Sequence, residues 1–157
     1  EGLLELEPLD LRDVLRATVE HFRADAEERQ VNLIAEIHAE PVLVLGDIEA
    51  LGLLTNNLVD NALKYTAPGG SVWIRLLPED PALIEIQDTG IGIGAEHLDR
   101  IFERFYRVDK ARSRELGGTG LGLSISRSIM EKHGGRLLFE SRVGQGTKVT
   151  ICIPCTG

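Results

Sequence analysis

The stretch that decides the fold is Thr55 to Tyr65, which reads TNNLVDNALKY. Its apolar residues recur at helical spacing, and Asn57 and Asn61 are four residues apart, so a helix places both amides on one face. Lys64 extends this polar stripe by about one turn. A half-buried amide needs partners that an apolar helix does not supply. The stripe therefore indicates either a binding face, with amide oxygens for Mg²⁺ and an ammonium for phosphate, or the wet edge of an amphipathic helix.

The composition bounds the class of protein. A chain of 157 residues that is 43% hydrophobic fits one globular domain with a sizeable core. The formal net charge of −8 argues against a nucleic-acid surface. The sequence opens at Glu1 without a methionine, an apolar leader or a long apolar run, so we expect a fragment of a longer protein with no signal peptide or membrane span.

Helical and strand patterns alternate on both sides of the central helix, which Asp47 caps and Pro68 follows. Helical spacing covers residues 10–28 and 120–132, and strand-like patterns cover residues 31–37, 42–45, 71–77, 82–87, 137–141 and 147–153. These patterns predict an α+β fold. We expect a two-layer α/β sandwich, in which a mixed, mostly antiparallel sheet of five or six strands carries about three helices on one face.

Two other features admit ordinary interpretations. Cys152 and Cys155 have C-x-x-C spacing, but a strand-like pattern and Pro154 surround them, so we expect structural thiols in a reducing, intracellular compartment rather than a redox pair or zinc site. Five of the seventeen basic residues fall within residues 104–114. This run fits a solvated loop or a docking surface for a polyanion.

Asp88 ends a predicted strand and is followed by a glycine-rich turn that contains Gly90 and Gly92. A carboxylate at this place can accept a hydrogen bond from an exocyclic amino group such as that of adenine, and the glycines let a flat ring approach the backbone. The alternative is a strand-end turn in which Asp88 bonds its own backbone.

A second glycine run, Gly117 to Leu123, reads GGTGLGL and precedes a predicted helix. Backbone N–H groups and the positive end of a helix dipole favour an anion there, although a plain N-terminal turn fits equally well. The run is not a Walker loop, because no lysine follows the glycines at the required position.

The order of these motifs resembles the catalytic, ATP-binding domain of bacterial sensor histidine kinases, a domain of the GHKL or Bergerat type. The asparagine motif, the Asp88 turn, the segment Ile101–Arg107 (IFERFYR), the second glycine run and Gly146-Thr147 follow one another at ordinary spacings over essentially the whole chain. The resemblance implies a single Bergerat-fold domain over residues 1–157. Residues 1–9 would be a linker from a preceding region, and residues 93–118 would form a lid over ATP.

The resemblance also implies a role for each matching residue. Asn57 and Asn61 would hold Mg²⁺, while Asn57, Lys64 and Arg107 would serve transfer of the terminal phosphoryl group. Phe102 and Phe105 would anchor the lid. The residues expected to contact the nucleotide are Asn57, Asn61, Lys64, Tyr65, Asp88, Gly90, Gly92, Ile93, Phe105, Arg107, Gly118, Thr119, Gly120, Leu121, Gly122 and Thr147.

Two departures refine this hypothesis. Relatives that hydrolyse ATP carry a glutamate base where this chain has Asn57, and an amide cannot accept that proton. None of the four histidines lies in the acceptor pattern of the family, His-Glu-x-x-Thr/Ser-Pro; they are His21, His38, His97 and His133.

We therefore expect ATP-dependent phosphorylation of a histidine in another part of the intact protein, with little activity in this fragment alone. A response regulator would be the downstream partner. The fragment would be a monomer, and the intact sensor would be membrane-anchored with this portion in the cytoplasm. The alternatives are an ATP hydrolase of the same fold and a non-catalytic ATP-binding regulatory module.

Overall fold

A computed structural model describes residues 5–90, 128–142 and 145–155 of the chain. The described helices are α1 (Leu11–Arg29) and α2 (Ile48–Lys64), together with a helical segment over residues 128–132. The strands are β1 (Glu7–Asp10), β2 (Asn32–Ile37), β3 (Leu43–Gly46), β4 (Ser71–Leu77), β5 (Ala82–Asp88), β6 (Arg136–Arg142) and β7 (Gly146–Ile153).

Five strands form the main sheet in the order β2-β4-β5-β7-β6. The β2–β4 pair is parallel and the other three pairs are antiparallel. The connection from β2 to β4 contains α2, and a crossover of this kind is what a parallel pair requires. The predicted α+β class, with a mixed and mostly antiparallel sheet, is thus confirmed.

Buried apolar residues alternate with partly buried residues along the central strands, and this pattern determines which face of the sheet the helices cover. Val72 and Ile74 on β4 are fully buried, and Ile84 on β5 is 1% exposed, while the residues between them are only partly buried. Both long helices contact β4, and α1 also packs along α2. The core therefore lies between one face of the sheet and a single helical layer.

Each long helix begins at a predicted capping aspartate. The Asp10 carboxylate accepts a hydrogen bond from the backbone N–H of Arg12 at 3.0 Å. The Asp47 carboxylate accepts from the backbone N–H groups of Glu49 and Ala50 at 3.0 and 3.1 Å. These bonds satisfy donors that a helix start leaves unpaired, so the local sequence determines where α1 and α2 begin.

The β1–β3 ribbon is a pairing that the sequence patterns do not predict. Residues 7–9, which the resemblance places in a linker, lie in β1, which pairs with β3 outside the main sheet. A four-residue strand that contains Pro8 carries little local signal, and its pairing with Leu43–Gly46 is a non-local contact. The predicted lid, residues 93–118, lies outside the described residues.

Both cysteines pack as parts of the fold. Cys152 is buried in β7, and the Cys155 thiol donates a hydrogen bond to the Glu79 carbonyl at 3.2 Å.

Within the described ranges, each helix is too short or too polar to cross a membrane.

Candidate functional site

One flank of α2 carries the polar stripe that the sequence predicted. The adjoining face of the helix is buried in the core through Leu51, Leu54 and Leu58. Asn57 and Asn61 are half-buried, and neither side-chain amide has a hydrogen-bond partner among the residues that the structure describes. Two adjacent amides that no described residue bonds leave their oxygens available to a ligand or cation.

The lysine of the stripe is held by a residue that the sequence prediction missed. Lys64 Nζ lies 2.9 Å from an Asp60 carboxylate oxygen, one helical turn earlier, and the lysine side chain is 19% exposed. An i,i+4 ion pair of this kind contributes only about 0.3–0.5 kcal/mol. A phosphate can therefore compete with Asp60 for the ammonium. The i,i+4 spacing was the signal in the sequence.

The last turn of α2 lies directly against the turn that follows β5. A Cβ atom placed on Gly90 would be 2.3 Å from the Tyr65 carbonyl oxygen and 2.9 Å from Asp88 Oδ1. Tyr65 is the C-cap of α2 and is half-buried. Only glycine fits at position 90, so the requirement for a glycine after Asp88 comes from the close approach of two backbones.

Asp88 is the buried carboxylate of the site, with 8% of the residue exposed. Its Oδ1 accepts hydrogen bonds from the backbone N–H of Gly90 at 2.8 Å and of Thr147 at 3.3 Å. No described residue bonds to Oδ2. The two interpretations of Asp88, as a turn residue and as a ligand acceptor, are thus compatible. Oδ1 makes the strand-end turn, and Oδ2 remains able to accept from a ligand.

Burial raises the pKa of Asp88 to about 6, and the hydrogen bonds from Gly90 and Thr147 oppose this increase. Removing a carboxylate from water penalises its charged form, and two backbone donors only partly compensate. A ligand that donates to Oδ2 would stabilise the ionised carboxylate further.

The start of β7 completes this end of the site. Gly146 has φ +107°, and a Cβ atom there would be 2.0 Å from the Asp88 carbonyl oxygen. This close approach brings the Thr147 N–H to the Asp88 carboxylate directly. Gly146 was recognised as part of the motif but was not named as a site residue; a glycine immediately before a strand was the available signal.

The structure thus brings five predicted residues into one region: Asp88, Gly90 and Thr147 at the strand ends, and Lys64 and Tyr65 at the C-terminal end of α2. Asn57 and Asn61 lie further along the same helix. The remaining predicted contacts lie outside the described residues and stay predictions; they are Gly92, Ile93, Phe105, Arg107, Gly118, Thr119, Gly120, Leu121 and Gly122.

The donor set fits a cation that keeps part of its water. No group of three or more His, Cys, Asp or Glu side chains in the described part of the chain could hold a metal ion. Asn57 and Asn61 supply two neutral oxygens, which suits Mg²⁺ held mainly by water and by the phosphates of a bound nucleotide.

Comparison with known proteins gives consistent results. The family described as histidine kinase-, DNA gyrase B- and HSP90-like ATPase matches residues 46–157. The sensor histidine kinase RppB of Synechocystis sp. is 43% identical over 145 residues, which is 92% of this chain and 32% of that protein. This chain thus spans about a third of the length of RppB.

Solved structures agree in fold. The mycobacterial sensor histidine kinase MprB has a TM-score of 0.82 and 32% identity, covering 96% of this chain and 98% of the MprB chain. The full-length ShkA structure in complex with AMPPNP has a TM-score of 0.84 and 27% identity, covering 98% of this chain and 32% of that chain.

Proposed function

The chain belongs to the family of histidine kinase-, DNA gyrase B- and HSP90-like ATPases, as the ATP-binding domain of a sensor histidine kinase, and we propose that it binds Mg-ATP along the surface from Asp88 to Asn57. The observation that carries the proposal is the set of unpartnered acceptors there. Asp88 Oδ2 and the amides of Asn57 and Asn61 have no hydrogen-bond partner among the described residues.

Each end of this surface suits a different part of ATP. The Asp88 carboxylate accepts a hydrogen bond from the adenine amino group, while Gly90 lets the ring approach the backbone. Lys64 would exchange Asp60 for a phosphate oxygen, and the amide oxygens of Asn57 and Asn61 would help to hold the cation. When bound, Mg²⁺ neutralises charge on the phosphates and orients the terminal one.

We propose phosphoryl transfer rather than hydrolysis as the reaction of the intact protein. Positioning and charge neutralisation are most of what phosphoryl transfer requires, and Asn57, Lys64 and Arg107 would supply them. The amide of Asn57 cannot act as a general base for water. The acceptor would be a histidine in a separate domain of the same protein, and the phosphoryl group would pass on to a response regulator, with this domain on the cytoplasmic side.

Calorimetric titration with a non-hydrolysable ATP analogue and Mg²⁺ tests the binding step. We expect one site of micromolar to millimolar affinity, and a loss of about 1–3 kcal/mol of binding free energy in Asn57→Ala. Asn32→Ala, which removes an exposed asparagine at the start of β2, is the matched control and should bind like wild type. A folded protein that does not bind the analogue at millimolar concentration would refute the proposal.

The transfer step is tested by adding ATP and the acceptor-histidine domain of the intact protein. We expect an acid-labile phosphohistidine on the acceptor and little phosphate release by this domain alone. Rapid release of inorganic phosphate without an acceptor would instead support hydrolysis.

A further inference from the structure

The turn His133-Gly134-Gly135 was predicted only as a helix stop, but it joins three parts of the fold. Gly134 has φ +70°, its N–H bonds to the Glu131 carbonyl at 3.2 Å, and the Gly135 N–H bonds to the Met130 carbonyl at 3.0 Å. This is a Schellman-type end for the helical segment. A Cβ atom on Gly135 would lie 2.3 Å from the Cys152 carbonyl oxygen, so the turn is pressed against β7.

His133 connects this turn to the start of α2. The residue is 8% exposed, Nδ1 bonds to the Ile129 carbonyl at 2.9 Å, and Nε2 lies 3.1 Å from the backbone N of Asp47. A carbonyl can only accept and a backbone N–H can only donate. The ring proton in this arrangement therefore lies on Nδ1, and Nε2 is the acceptor.

The same aspartate ties together the entry to α2. Asp47 caps the helix with Oδ1, and its Oδ2 accepts from the Glu5 N–H at 2.9 Å. A Cβ atom on Gly46 would be 3.3 Å from His133 Cδ2 and 2.8 Å from Leu51 Cδ1, so the ring lies close against the backbone there. The His133 ring thus contacts the last residue of β3 and the N-cap of α2 together.

From these contacts we infer that His133 is a positioning residue for the Mg-phosphate end of the site, an inference that rests on the proposed function. Packing on α1 and the sheet supports the length of α2, and the contact of Gly90 with Tyr65 fixes its C-terminal end. His133, together with the Glu5 N–H, supports the opposite end through Asp47. Between these two supports lie Asn57 and Asn61, the amides proposed to face the cation.

The geometry predicts which ligand contacts depend on His133. With a rise of 1.5 Å per residue, Asp47 lies about 27 Å from Tyr65 along α2, Asn57 about 12 Å and Asn61 about 6 Å. A shift of about 1 Å at Asp47, pivoting at Tyr65, would move Asn57 by about 0.4 Å and Asn61 by about 0.2 Å. Asp88, which lies on β5, would not move. Loss of His133 should therefore weaken phosphate and cation binding more than adenine binding.

The test compares two substitutions and two ligands. His133→Leu removes both hydrogen bonds, whereas the side-chain oxygen of His133→Gln can still accept from Asp47. We expect His133→Leu to weaken binding of Mg²⁺ with a non-hydrolysable ATP analogue by about two- to tenfold, the factor of one hydrogen bond. Metal-free ADP should lose less than a factor of about two by the same scale, and His133→Gln should bind nearly as wild type does.

The control His21→Gln removes an exposed histidine on α1 and should change neither affinity. Wild-type protein that fails to bind the analogue would refute the proposed function itself. Wild-type binding together with an unchanged His133→Leu variant, or with equal losses for both ligands, would refute only the positioning role.

A measurement on the unmutated protein covers the case in which His133→Leu does not fold. Nitrogen-15 NMR of the imidazole should report the Nδ1-protonated tautomer of His133. The His133 ring and Asp47 amide signals should shift with the Mg-analogue and shift less with metal-free ADP. An Nε2-protonated ring, or signals unaffected by the Mg-analogue, would overturn the inference.

Discussion

Asp88→Asn should make the domain more stable and, at the same time, unable to bind nucleotide well. The carboxylate is 8% exposed, and its pKa is raised to about 6 by burial. An asparagine of the same shape keeps one oxygen for the N–H groups of Gly90 and Thr147. The variant therefore removes a buried charge without removing the hydrogen bonds that make the turn.

The size and sign of the stability change follow from the pKa. The difference between the ordinary value of 3.8 and about 6 corresponds to about 3 kcal/mol. Because the pKa of the folded state is raised, the favourable contribution of the protonated acid is fully present below about pH 3.8 and is lost as the pH rises through about 6. At pH 7.5 the Asp88→Asn variant should be more stable than wild type by up to about 3 kcal/mol, and the gap should close near pH 4.

Binding should change in the opposite direction. The new amide group would present N–H donors where Asp88 Oδ2 could accept from the adenine amino group. ATP and ADP carry the same base, so both should lose about 1–3 kcal/mol of binding free energy. A substitution that raises the free energy of unfolding and weakens nucleotide binding is expected where the fold is destabilised by burying a charged group that binds the ligand.

Urea unfolding of both proteins between pH 4 and pH 8 measures the first effect, and calorimetry with an ATP analogue and ADP measures the second. Asp13→Asn, an exposed aspartate on α1, controls for the loss of one negative charge. A stability difference that does not vary with pH would refute the role of burial. Unchanged nucleotide affinity would show that Asp88 serves only the turn.

Three other outcomes are expected. Below about pH 6, the nucleotide affinity of the wild type should fall, by at most about tenfold per pH unit, towards that of Asp88→Asn, since binding is tightest with the ionised form of Asp88. The same slope in Asp88→Asn would contradict this. In urea unfolding, Gly90→Ala should destabilise the fold by about 1–3 kcal/mol, because the added Cβ atom meets the Tyr65 carbonyl. Gly52→Ala, where the added Cβ atom lies in open space within α2, should instead stabilise the fold by about 0.8–1 kcal/mol. Arg107→Ala should weaken an ATP analogue more than ADP in calorimetry, since only the former has a terminal phosphate; equal losses would argue against that contact.

Local signals in the sequence were enough for most of the secondary structure and for the chemistry of α2. Asp10 and Asp47 cap the two long helices because a capping bond joins residues only two or three apart. The alternation of Val72 to Leu76 determines which side of β4 faces the core. The spacing of Asn57 and Asn61 places them on one flank of the helix. In each case, the interacting groups are within about one turn or one strand of each other.

Contacts between distant segments came only with the tertiary structure. The sequence indicated a carboxylate at position 88, but the burial that raises its pKa depends on packing, and its second hydrogen bond comes from a residue 59 positions away. The role of the glycine at position 90 depends on the Tyr65 carbonyl, which only the packing of α2 against the strand end brings near.

The same holds for β1, whose four residues become a strand through pairing with β3, and for His133, whose partner Asp47 is 86 positions earlier. Helix periodicity, caps and turns are properties of neighbouring residues, so the sequence by itself determined the two long helices, most of the strands and most residue types of the described site. Which elements meet, and which polar atoms are left without a partner where they meet, depends on burial and hydrogen bonding across the whole chain. Only the tertiary structure decided those.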